Sequence, residues 1–114
     1  MILTVDDVVA HLRLDEDTLD ETEIAYITNK IQEAQEAAEE YCRTSFEPIA
    51  EEKDEDGNVI KEGYTPPKAV RLAVLLLVSH FYEFRDGNDN VAYNTTMRAF
   101  KNLLYPHRDP EQMF

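Results

Sequence analysis

The sequence predicts a mainly α fold: four helices in a compact domain, with a long middle loop that has room for a short β-hairpin. Three observations carry this. Apolar residues recur at helical spacing in four separate stretches. Turn and breaker residues gather between the second and third stretches, over residues 43–65. The chain has 114 residues, 43% hydrophobic and 31% charged, which suits one packed domain over residues 1–114 rather than a disordered segment.

The first helix is expected at about residues 5–13. Thr4 can cap it, and Asp7 three residues on completes an aspartate version of the capping box. Val5, Val8, Val9 and Leu12 then share one face. The second helix is expected over 21–42, behind Asp20 or Thr22 as cap. Ile24, Ile27, Ile31, Ala34, Ala38 and Tyr41 or Cys42 recur at steps of three and four, while Glu33, Glu36, Glu39 and Glu40 form a solvated acidic face. Its small residues, Ala34, Ala37 and Ala38, leave room for another helix to come close.

Residues 43–65 break the pattern with Pro48, Asp56-Gly57-Asn58, Gly63 and Pro66-Pro67 at the end. Ser45-Phe46-Glu47 and Asn58-Val59-Ile60-Lys61 read as two short strands about the Asp-Gly turn. The run Glu51-Glu52-Lys53-Asp54-Glu55-Asp56 reads as an exposed tip. Loops this long in small domains are usually functional or mobile. The third helix is expected over 67–85, with proline in its first turn. From Ala69 to Val78 it is apolar around nearly its whole circumference, Arg71 excepted. Such a helix is either the centre of a monomeric bundle or packs on neighbouring subunits as well as on its own chain. A loop at 86–90 leads to a fourth helix at 95–105, with Met97, Phe100, Leu103 and Leu104 on one face and Pro106 as its stop. Residues 107–114 read as a tail.

Composition also excludes function classes. The net charge is −13, with 24 acidic residues against 11 Lys and Arg. Such a surface repels phosphate, so tight non-specific binding of nucleic acid is not expected. The acidity serves either solubility or a surface that DNA must pass without sticking, and composition does not choose between them. No apolar run approaches the roughly 18 residues needed to span a bilayer. The first residues lack the basic start of a signal peptide. The one cysteine, Cys42, makes no internal disulfide and fits a reducing cytoplasm.

No catalytic, cofactor-binding or metal-binding constellation is expected. There is no glycine-rich phosphate loop and no Ser/His/Asp or Cys/His signature. His80 and Glu83 share a helix face at a spacing that can serve a metal, but His11 and His107 do not complete a convincing set. Cys42 reads as a small buried group. Carboxylates are too many for any pair to stand out as an acid/base couple.

The stretch Leu3-Thr4-Val5-Asp6-Asp7-Val8-Val9-Ala10-His11-Leu12 resembles the first helix of excisionase-type helix-turn-helix regulators. There a basic recognition helix follows. Here the next helix opens Asp20-Glu21-Thr22-Glu23, which does not suit a surface facing phosphates.

Four segments, in order, resemble the head–tail connector (adaptor) proteins of tailed bacteriophages. The opening, Met1 to Asp15, is similar to that family's short first helix closed by an Arg-hydrophobe-Asp. Ala34-Gln35-Glu36-Ala37-Ala38-Glu39-Glu40-Tyr41-Cys42 resembles its alanine-rich second helix end. Pro66-Pro67-Lys68-Ala69-Val70-Arg71-Leu72-Ala73-Val74-Leu75-Leu76-Leu77-Val78-Ser79-His80-Phe81-Tyr82-Glu83-Phe84-Arg85 resembles its proline-led, leucine-rich helix ending in aromatic-Glu-x-Arg. Leu103-Leu104-Tyr105-Pro106-His107-Arg108 resembles its closing hydrophobe-Pro-x-Arg. The middle loop is where the chain departs from that pattern, so nothing is carried over to residues 47–64.

The resemblance implies a non-enzymatic virion protein with no cofactor. It implies a ring, dodecameric in the virion, that docks beneath the portal protein, extends the DNA channel and meets a tail or neck completion protein. DNA passes without specific binding, no membrane is involved, and assembly takes place in the host cytoplasm. A ring needs two different faces of each subunit to meet. Leu72, Leu76, Tyr82 and Phe84 are expected to pack between subunits. Arg71, Arg85 and Arg98 are expected to pair with a neighbour's carboxylates, giving register more than affinity. The 43–65 loop is expected to act as a docking arm whose strands pair with a neighbour or with the portal by edge addition. Two other classes stay open: a small helix-turn-helix regulator, and a generic acidic helical interaction protein such as a chaperone or an inhibitor of a basic partner.

Overall fold

The computed structural model describes residues 1–85 and 90–109. Helices α1 (Val5–Leu12), α2 (Glu21–Cys42), α3 (Lys68–Glu83) and α4 (Asn90–Leu104) carry the fold. Strands β1 (Glu52–Lys53) and β2 (Val59–Lys61) pair antiparallel as a two-stranded hairpin. Short 3-10 turns lie at Glu16–Thr18 and Tyr105–His107. The architecture is mainly α with a small hairpin in the middle segment, as the sequence predicts.

Each helix start has a local cause. The Thr4 hydroxyl accepts from the Asp7 amide at 3.1 Å, and the Asp7 carboxylate accepts from the Thr4 amide at 2.8 Å, which closes the expected capping box. Asp20 caps α2 by accepting from the Glu23 amide at 2.8 Å. The Pro67 carbonyl accepts from the Val70 and Arg71 amides, both at 3.1 Å, and so launches α3. Helices α1 and α2 both close on an arginine in the left-handed region, Arg13 and Arg43, each at φ 55°. After α1 the amides of Arg13 and Leu14 turn back to the carbonyls of Ala10 and Val9 at 3.4 and 3.0 Å, a Schellman closure.

Helix α4 begins at Asn90, earlier than the expected Thr95. Its first turns are mostly exposed, so they carry no apolar periodicity to read. Pro106 does not end the helical path at once, because a proline is tolerated in the first turn of the 3-10 segment that follows. The rest of the expected 86–90 loop and the tail from residue 110 onward lie outside the described residues.

The core sits between α2, α3 and α4, closed at one end by α1. Ile27, Ile31, Ala34, Ala38 and Cys42 of α2 face Val70, Ala73, Val74, Leu77 and Val78 of α3, with Phe100 and Leu104 of α4 and Val8 of α1 in the same cluster. The molecule measures 53 × 44 × 18 Å. Helices pack about 8–10 Å apart, so 18 Å holds roughly two layers. The radius of gyration, 16.3 Å, exceeds the roughly 13 Å of a compact domain of this size.

The middle segment contributes to that spread, since every residue from 47 to 65 is exposed. Ser45-Phe46-Glu47 is not a strand, contrary to expectation. Phe46 is buried in the core and its amide donates to the Glu39 carboxylate at 2.8 Å, so side chains tie this stretch to α2. Pairing starts farther out, with an isolated bridge between Ile49 and Tyr64 and then Glu52 opposite Lys61 and Lys53 opposite Val59. Ile60 is the extra residue of a bulge. Asp54 shapes the tip, where its carboxylate accepts from the amides of Asp56 and Asn58, both at 2.9 Å, and Gly57 takes φ 85°. Gly63 is needed at the base, because a Cβ there would stand 3.0 Å from the Glu51 amide nitrogen and the Ile49 carbonyl oxygen.

A polar clasp anchors the arm. The Ile2 amide donates to Gln35 Oε1 at 2.7 Å, Gln35 Nε2 donates to Glu47 Oε2 at 2.6 Å, and the Met1 ammonium donates to Glu47 Oε1 at 2.6 Å. Gln35 is buried, so this chain of bonds satisfies an amide that would otherwise be costly.

Two outcomes test this account. Ile31→Ala, at a site with no exposure, is expected to lose about 2–5 kcal/mol in urea unfolding, as cavity-forming substitutions do. The Met1 ammonium and Gln35 hold the Glu47 carboxyl below its ordinary pKa. A lowered pKa in the fold stabilises above the unfolded value, and that contribution disappears as pH falls through the folded one. The stability gap between wild type and Glu47→Gln is therefore expected to be present at neutral pH and to close in acid, measured by urea titration across that range.

Candidate functional site

The residues singled out on α3 and α4 fall into separate neighbourhoods. Arg71 reaches Asp7 at 3.5 Å, an ion pair whose partners are both about two-fifths exposed and which therefore contributes little to stability. Beside it Leu72 is 44% exposed, and with Leu3 and Leu75 these residues line a shallow apolar hollow of about 270 Å³. Leu76 is half-buried one turn on and lines a second hollow, of about 400 Å³, with Phe84 and Thr95. An outward apolar edge thus runs along α3 through Leu72 and Leu76.

Tyr82 and Arg85 make contacts within the subunit. The Arg85 guanidinium sits 4.2 Å from the Tyr26 ring centre and bonds Glu23 at 2.9 Å, and Tyr82 meets Tyr26 edge-on at 6.4 Å. Together they fasten the end of α3 to the start of α2. Phe84 is half-buried with its ring 4.8 Å from that of His80. Arg98 is exposed on α4, and no ion pair joins it to a described residue.

One grouping has no signal in the sequence. Where α2 ends, Tyr41 and Arg43 meet Met97, Phe100 and Lys101 of α4 and Arg108 of the segment beyond it, around a hollow of about 370 Å³. Arg108 and Lys101 lie over the Tyr41 ring at 4.8 and 5.9 Å. Arg108 Nε is enclosed with no hydrogen-bond partner among the described residues. Two cations lie over one aromatic ring and a third, Arg43, lines the same hollow, a juxtaposition that only the folded chain creates.

His80 is buried among Phe81, Phe84 and Tyr93, with Nδ1 3.4 Å from the Thr96 hydroxyl, while its spacing partner Glu83 is exposed. Among the described residues no group of His, Cys, Asp and Glu is arranged to hold a metal ion. Cys42 is buried and its thiol lies 3.5 Å from the Leu104 carbonyl oxygen. Burial pushes its pKa up, partly opposed by Arg108. No helix is long and apolar enough to cross a membrane among the described residues.

Comparison with known families matches residues 2–108 to the model of the phage gp6-like head-tail connector proteins. The chain belongs to this family. No curated protein and no solved structure matches it. A head–tail connector is a structural phage protein.

Burial and the raised pKa leave little Cys42 thiolate in the native connector. A disulfide reagent is expected to label Cys42 only as the chain unfolds, with the rate following the unfolding rate in denaturant. Labelling in native buffer at the rate of a free thiol would contradict the packing described.

Proposed function

We propose that the chain is the repeating subunit of a ring that docks beneath the portal, extends the DNA channel and joins the head to the next neck or tail component. Twelve copies would match the symmetry that the sequence resemblance implies for the virion. The observation that carries this reading is the outward apolar edge of α3. A slab two helices thick leaves Leu72 open to water and Leu76 only partly covered, and a neighbouring copy would cover both.

The charge supports the same reading. A subunit of net charge −13, repeated around a ring, surrounds a lumen with negative potential if its acidic faces point inward. DNA then slides through without the phosphate contacts that would hold it. Catalysis has no part in this role.

Electron microscopy of the concentrated protein should show rings. Leu72→Asp is expected to keep the monomer folded, because the site is already open to water, and to shift sedimentation strongly toward monomer. Leu76→Asp is also expected to shift sedimentation toward monomer. Variants that assemble as readily as wild type would remove α3 from the seam. Rings that retain duplex DNA at physiological salt would contradict the proposed channel.

A further inference from the structure

We propose that the acidic hairpin arm of one copy docks in the cationic hollow of the next, with the tip carboxylates against Arg43, Lys101 and Arg108. This deepens the ring reading and rests on it.

Charge complementarity is the first ground. Residues 49–64 carry six carboxylates against two lysines, and all are exposed. Of these, Asp54 is used to build the turn and Glu51 reaches Lys53 at 3.5 Å, which leaves Glu52, Glu55, Asp56 and Glu62 facing solvent. The hollow sets three cations against Glu40 in a chain where acids outnumber bases two to one. No ion pair joins Arg43 or Lys101 to a described residue, and Arg108 Nε is enclosed and unbonded.

Apolar fit is the second ground. The arm exposes Ile49, Val59 and Ile60, the last at 67%. The hollow offers Tyr41, Met97 and Phe100 as its walls. A two-stranded hairpin alone in water is at best marginally stable, so a surface that takes its apolar side would firm it.

Placement is the third ground. The arm is held at its base by Gln35 and Glu39 of α2, while Ala37 and Tyr41 line the hollow. Ala37 is two residues from Gln35, and Tyr41 two from Glu39, which at 3.6 residues per turn is roughly 200° around the axis. Arm and hollow therefore lie on opposite flanks of α2, the arrangement a head-to-tail contact requires and a self-contact does not favour.

The test is a charge exchange. An arm variant, Glu55→Lys with Asp56→Lys, leaves the turn-building Asp54 intact. A hollow variant, Arg43→Glu with Lys101→Glu, changes two exposed cations. Each alone puts like charges together and is expected to raise the concentration needed for assembly about tenfold or more, measured by sedimentation at low salt. An equimolar mixture restores both contacts by alternation and is expected to assemble within about twofold of wild type. Arg43→Gly is the folding control: glycine suits the left-handed position, so the monomer keeps or gains stability while assembly weakens. Carbodiimide coupling between isotopically distinct copies should link Glu55 or Asp56 to Lys101.

Single variants that assemble like wild type, a mixture that is not rescued, or links confined to one copy would overturn the docking. If assembly is also lost in Leu72→Asp, the ring reading stands without it. Wild-type protein that never self-associates would overturn both.

Discussion

A slab two helices thick can bury only one side of any helix in it. That limit shapes the rest of this molecule. Helix α3 sends Val70, Ala73, Val74, Leu77 and Val78 inward against α2, α4 and α1, and these contacts hold the layers together. The same helix continues its leucines toward the outer face, where Leu75 and Leu76 are partly covered and Leu72 is left exposed. The apolar edge is thus a consequence of packing a helix apolar all round into a molecule with too few layers. In the proposed ring, that edge is the surface a neighbouring copy would cover.

Charge is distributed with similar economy. Lys30, Lys53, Arg71 and Arg85 each lie beside a carboxylate of their own chain. Arg85 and Lys30 also lie over Tyr26, so the start of α2 and the end of α3 are joined through aromatic faces as well as through charge. What remains of the positive charge is partly gathered at one corner, around Tyr41. The negative charge is spread over the outer face of α2 and the arm. Such polarity within one subunit distinguishes its flanks and opposes two identical flanks meeting.

The fold was largely legible in the sequence because its signals are local. Thr4 and Asp7, Asp20, and Pro66-Pro67 announce the helix starts, and the three-and-four spacing from Ile27 to Cys42 marks the buried face of α2. The misses have local causes too. The first turns of α4 face solvent and show no period. Phe46 looked like a strand residue by neighbourhood, yet it drops into the core because Glu39 and Gln35 capture the backbone and side chain on either side of it. The candidate surfaces were half legible. The apolar excess of α3 is written in consecutive residues. The hollow unites residues 41, 43, 97, 100, 101 and 108, whose proximity depends on how α4 crosses α2. Sequence spacing likewise did not show that Arg85 and Tyr82 would be taken up by Tyr26 and Glu23.

The two helix-ending arginines carry one more consequence. An L-residue held in the left-handed region costs roughly 1–2 kcal/mol relative to ordinary helical backbone, a penalty that glycine avoids. The chain therefore keeps a reserve of stability at Arg13 and Arg43 that could be released without touching the core. The two sites differ in what surrounds them. Arg13 is exposed beyond α1, whereas Arg43 stands at the cationic hollow. Glycine removes a cation at either site, but only at the second does that cation line the hollow. Engineering this protein for robustness would begin at residue 13.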